Sequence, residues 1–206
     1  MPHRIRAALV WALLAGVLVV PIAIAATSEY LAYRSPVYIA AGFAGIVAMA
    51  LVLLQPLLAA GNLPGFGLRI GRQVHRWVGL LLVAAILVHV AGLWLTSPPD
   101  VIDALTFASP TPFSAWGVVA MWALFAAAIL AALRKRLRIR PPIFRFAHTA
   151  LAALVVVTGA IHAMLIEGTM GTTSKAVLCG LAIAATLKVL VDLRSWALLT
   201  RLRGRA

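Results

Sequence analysis

Four of the five histidines in this 206-residue chain fall into two pairs, His75 with His89 and His148 with His162. Each pair is separated by fourteen positions, and each lies inside a long apolar run. On a helix, fourteen steps turn through about 1400°, roughly 40° short of four full turns, so both members of a pair share nearly one face. They stand about 21 Å apart along the axis, against a bilayer hydrocarbon core roughly 30 Å thick. Two such helices side by side offer a pair of imidazoles at each of two depths. Imidazole in an apolar setting either packs, relays protons or ligates a metal. Four residues in two equally spaced pairs favour ligation.

The ligand count narrows the metal. Zinc needs three or four donors converging in a tetrahedron, and no carboxylate lies within four residues of any of these histidines in the sequence. A haem brings four equatorial nitrogens of its own, so two axial imidazoles complete it. The pattern therefore predicts two b-type haems, non-covalently held, since no C-x-x-C-H is present. Each ligand must be neutral at one ring nitrogen and free to donate a hydrogen bond from the other. With both axial positions filled, such haems suit electron transfer rather than direct oxygen binding.

The elements that must position these residues are membrane helices. Hydrophobic residues make up 64% of the chain and charged residues only 11%, with a mean hydropathy of +1.04, which leaves no conventional solvated surface. Six apolar runs, at about 7–26, 37–60, 75–95, 113–133, 146–166 and 175–198, are each long enough to span a bilayer. Lipid offers no water to backbone groups, so runs of this length are helical. The fold expected is all-α: one domain over residues 1–206, a six-helix transmembrane bundle with two b haems between the third and fifth helices.

The formal charge of +13 reflects topology rather than nucleic-acid binding, because the cations sit in short connections between apolar runs. Arg4 and Arg6 precede the first span. Arg69, Arg72 and Arg76 lead into the third, and Arg134, Lys135, Arg136, Arg138, Arg140 and Arg145 into the fifth. Arg201, Arg203 and Arg205 follow the sixth, whereas the alternating connections hold only Arg34 and Lys175. The positive-inside rule then puts both termini in the cytoplasm of a multi-pass plasma (inner) membrane protein. The third and fifth spans both run outward. His75 thus pairs with His148 at the inner level, and His89 with His162 at the outer level.

Neighbouring residues carry smaller expectations. Gly79, Ala152, Gly159, Ala85 and Gly92 share faces with the histidines and leave room for a flat ligand, although small residues also mediate close helix packing. Arg76 beside His75 is a candidate for an anionic propionate, with Arg72 and Arg145 as weaker ones. Cys179, the single cysteine, reads as a packing residue, and His3 as a solvated one. Lys188 and Asp192, four apart, can pair on one face beside Arg194 near the cytoplasmic end. Asp100 and Asp103 read as solvated loop carboxylates, and Glu167 as a weak candidate to tune the outer level. The apolar stretch ending in Ala23-Ile24-Ala25 imitates a cleavable signal but is longer than a usual one, so a retained helix is expected.

The segments "HRWVGLLLVAAILVH" and "HTALAALVVVTGAIH", with six spans and both ends inside, resemble the ferric reductase-like transmembrane family, which includes the membrane domain of NADPH oxidases. The resemblance implies a bis-histidine di-haem core carrying electrons from the cytoplasm to the outer face, with His75, His89, His148 and His162 as ligands. Larger members add flavin and nicotinamide domains. Here "GNLPGFGLRIG" precedes a membrane span and lacks a βαβ context, so flavin and NAD(P)H are expected only on a cytoplasmic flavoprotein reductase partner. The acceptor stays open between ferric iron, oxygen and a periplasmic enzyme, as for the membrane subunit of a methionine sulfoxide reductase-type system. Two alternatives also stay open: a quinol-linked cytochrome b, and a non-haem scaffold or transporter. The resemblance implies an oxidoreductase component, without deciding whether the chain is itself an enzyme.

Overall fold

A computed structural model describes the backbone from His3 to Arg203 and the side chains from Arg4 to Asp192. The side chains of His3, Arg194, Arg201, Arg203 and Arg205 lie outside the described residues. The chain is all-helical there: α1 (His3–Ala26), a 3-10 turn (Glu29–Leu31), α2 (Pro36–Ala59), α3 (Leu68–Thr96), α4 (Pro98–Leu105), α5 (Ser114–Leu133), α6 (Pro141–Leu165) and α7 (Thr172–Arg203). Six of these are long and apolar enough to cross a membrane, with α4 the exception. Large apolar side chains such as Leu13, Leu80, Leu81, Ile129 and Leu187 face outward, as lipid-facing positions require. The protein is a multi-pass membrane protein.

The predicted spans match the six long helices, with the larger differences at the starts of α3 and α6. α3 begins seven residues before the expected position 75, and α6 five before 146. Apolar runs mark where a helix enters lipid, but its start is set by capping. Gly67 caps α3, and Pro141 with Pro142 opens α6 at positions where the missing N–H costs nothing. Arg69, Arg72, Arg76 and Arg145 thus stand on helical turns rather than in loops. At α2, Ser35 Oγ accepts from Tyr38 N at 3.2 Å, a capping bond. The third connection, expected as a loop, contains α4. Pro98 opens it, Val101 is its buried residue, and Ser97 Oγ donates to Asp100 Oδ2 at 2.6 Å.

Two helical hairpins dominate the packing. α2 packs along α3, and α5 along α6, and these are the two most extensive helix contacts. α2 is central and also touches α1, α6 and α7. The α2–α3 approach depends on glycine: a Cβ at Gly71 would lie 2.6 Å from the Leu58 carbonyl oxygen, and one at Gly92 2.7 Å from Ala41 Cβ. The glycine-rich connection between them reverses the chain, with Gly61 at φ +67° and Gly65 at +83°. Trp11 of α1 ties down this connection through a bond from Nε1 to the Pro64 carbonyl at 3.2 Å and contact with Phe66.

The end of α5 offers a stability test. Ile139 N donates to Arg134 O at 2.9 Å and Arg138 N to Lys135 O at 3.2 Å. This is a Schellman closure, and the residue in its left-handed position is Arg138, at φ +51°. An L-residue there costs roughly 1–2 kcal/mol that glycine avoids. Arg138→Gly is expected to raise stability by about 1 kcal/mol, measured as a higher thermal midpoint in detergent; an unchanged or lower midpoint would contradict this account.

Candidate functional site

All four predicted histidines lie between the two hairpins. His75 and His89 stand on α3, His148 and His162 on α6. α3 and α6 have little backbone contact of their own, and side chains meet across the gap. The imidazoles of His75 and His148 have centres 6.2 Å apart and planes 77° from parallel. His75 thus neighbours His148 across the gap between α3 and α6. His89 and His162 stand on the same two helices, fourteen residues further along each.

Hydrogen bonds orient three of the rings. His75 Nδ1 faces the Gln55 carbonyl at 3.2 Å, His89 Nδ1 the Ala41 carbonyl at 2.7 Å, and His162 Nδ1 the Phe113 carbonyl at 2.8 Å. A carbonyl can only accept, so Nδ1 carries the proton and donates. In a neutral ring Nε2 then keeps its lone pair for a metal, the arrangement usual for ligating histidines. Each acceptor comes from the neighbouring helix of its own hairpin: α2 for the α3 histidines, and the start of α5 for His162.

The seats at the two levels differ in one residue type. One turn after the Ala41 and Phe113 carbonyls come Gly45 and Gly117. A Cβ on Gly45 would lie 3.0 Å from His89 Nδ1, and one on Gly117 2.6 Å from His162 Nδ1 and Cε1. These glycines let these two rings lie directly on a neighbouring helix backbone. At the His75–His148 level the corresponding positions are Ala59, after Gln55, and Ala131, after Ala127. There the His75 bond is longer, and the Ala127 carbonyl faces His148 without reaching hydrogen-bond geometry, which leaves His148 Nδ1 buried and unpartnered. Gln55 Nε2 is the other buried polar atom without a partner among the described residues, also at that level.

These residues fit a bis-imidazole haem. Imidazole–metal bonds are about 2 Å long and the ring centre lies roughly 1 Å behind the nitrogen, so rings on opposite sides of one metal stand about 6 Å apart. The His75–His148 pair meets that spacing. Among the described residues, no cluster of three histidine, cysteine or carboxylate side chains could hold a metal by itself.

Other candidates fall out differently. Arg76 is exposed on α3 beside His75. Three of the flanking small residues face α2: Gly92 lies against Ala41, Gly159 faces Met49 Sδ at 3.7 Å, and Gly79 faces Gln55 Nε2 at 3.6 Å. Cys179 is buried against Ala160 and Ala163, as a packing residue would be. Lys188 Nζ pairs with Asp192 Oδ2 at 2.6 Å, and Glu167 is exposed beyond α6. Sequence reasoning missed Gly45, Gly117, Phe113 and Gln55, which lie far from the histidines in the chain. It also missed Phe144, whose position four before His148 was a readable signal.

The fold and the site define a class: a multi-pass membrane protein with paired, half-buried histidines between helical hairpins. Residues 41–159, more than half of the chain, match the family described as the ferric reductase like transmembrane component, and the protein belongs to that family. The matched segment holds His75, His89 and His148, and His162 follows three residues beyond it. No curated protein and no solved structure matches the chain. Membership in this family suggests transmembrane electron transfer, and its members generally bind haem.

Proposed function

We propose that this chain is a single transmembrane electron-transfer domain holding two b haems, the inner by His75 and His148 and the outer by His89 and His162. The observation that carries the reading is the 6.2 Å approach of His75 and His148 from separate helices at one level, within a family that suggests electron transfer. Each haem, when bound, supplies a one-electron Fe(III)/Fe(II) couple. The protein's part is orientation and exclusion. The Gln55, Ala41 and Phe113 carbonyls hold three Nδ1 protons, which turns Nε2 toward the gap between α3 and α6. The surrounding apolar helices keep water out.

Loop charge supports an orientation with both termini in the cytoplasm of the plasma membrane. Electrons then enter from a cytoplasmic flavoprotein reductase, the carrier of flavin and NAD(P)H, and leave to an outer-face acceptor: ferric iron, oxygen or a periplasmic enzyme. Arg76, exposed near the inner pair, is assigned to the inner haem's propionates.

The test is the absorption spectrum of the full chain purified after haem-supplemented expression. A Soret band equivalent to two haems per chain is expected, with rapid reduction on adding a flavoprotein reductase and NAD(P)H. Absence of a Soret band would overturn the reading in favour of a non-haem scaffold. Reduction by quinol alone would move the donor into the membrane.

A further inference from the structure

The inner level contains one imidazole with no hydrogen-bond anchor. His75, His89 and His162 each donate Nδ1–H to a main-chain carbonyl, whereas His148 Nδ1 is buried and unpartnered. An imidazole on a flexible side chain turns about two bonds, and an axial ligand that turns lets go of its metal. Something else must hold the His148 ring. One turn earlier on α6, Phe144 stacks on it, with centres 5.3 Å apart and planes only 17° from parallel. The guanidinium carbon of Arg134 lies over the same phenyl ring, 4.7 Å from its centre. Such cation–π contact favours one orientation of the ring beneath it.

We propose that Phe144, steadied by Arg134, is the positioning residue for His148, replacing by stacking the hydrogen-bond anchor that the other three rings possess. The proposal rests on the di-haem reading above. The contrast with the outer level sharpens it. Phe113 touches His162 edge-on, at 5.9 Å and 70°, but the His162 ring is already anchored by the Phe113 carbonyl. Removing the Phe113 side chain leaves that carbonyl in place. The two aromatic residues therefore differ in consequence: Phe144 holds its histidine, and Phe113 accompanies one that is held by other means.

The experiment uses carbon monoxide on the dithionite-reduced full chain, purified with its haems. A haem with two imidazoles has no free position and does not take up carbon monoxide; one that has lost an imidazole does. Wild type is expected to show no carbon monoxide shift. Phe144→Leu is expected to show the shift in half of its haem, with Arg134→Gln giving a smaller fraction. Phe144→Tyr, which keeps the stacked ring, is expected to behave as wild type. Selective loss of one haem from Phe144→Leu, with Phe144→Tyr retaining both, would also support the proposal. Phe144→Leu with two haems closed to carbon monoxide would overturn it, as would Phe144→Tyr failing in the same way as Phe144→Leu. A wild-type chain with no haem would instead overturn the di-haem reading itself, so the two failures are distinguishable.

Discussion

Gly117→Ala is expected to empty the outer haem seat while leaving the inner one filled. The added methyl would lie 2.6 Å from His162 Nδ1 and Cε1, well inside the 3.5–4.0 Å or so at which such atoms rest. The ring would be driven off the Phe113 carbonyl, losing a hydrogen bond worth about 1 kcal/mol. Overpacking between α5 and α6 adds roughly 1–3 kcal/mol. Helix propensity acts the other way, since alanine is better than glycine in a helix by about 1 kcal/mol, but it does not relieve a clash with a fixed ring. Gly45→Ala, at 3.0 Å from His89, is expected to do the same more weakly. The measurement is haem content per purified chain, with the Soret band falling to about half for Gly117→Ala if one of two bis-imidazole haems is lost. Two haems per chain with wild-type potentials would show that Gly117 does not seat His162.

The second large effect is a pattern across four variants. His75→Ala and His148→Ala should each lose the same haem, and His89→Ala and His162→Ala the other. The rings of the inner pair stand 6.2 Å apart across the gap between α3 and α6. Two histidines on one helix, about 21 Å apart along its axis, cannot share a metal. Each loss should leave roughly half of the Soret absorbance, because the remaining pair keeps both of its axial ligands. Low-temperature spectra and redox titration distinguish the two haems. If His75→Ala and His162→Ala removed the same one, the assignment of depth would be wrong.

The membrane helices were legible because hydropathy is a local property, read run by run, and lipid permits few alternatives to helix for such runs. Their starts were less so. α3 and α6 continue into arginine-bearing turns, where Gly67 and Pro141 determine the start. α4 was missed because eight residues, two of them proline, make no long apolar run. The approach of His75 to His148 was legible in the fourteen-residue spacing shared by the two helices. Which helix packs against the glycines flanking the histidines was not legible. Sharing a helix face with a histidine does not say which helix lies opposite, and α2 lies beside Gly79, Gly92 and Gly159.

By itself, the sequence determined the six spans, the family and the equal spacing of the histidines on two of those spans, since each of these is a matter of periodicity, composition or motif along one chain. Only the tertiary structure decided how each imidazole is held. The Ala41 and Phe113 carbonyls, the glycines one turn beyond them, and the unanchored His148 beside Phe144 depend on which helix packs against which. Contacts between helices are made by residues some 20 to 49 positions apart. No local pattern records the distance at which two backbones meet.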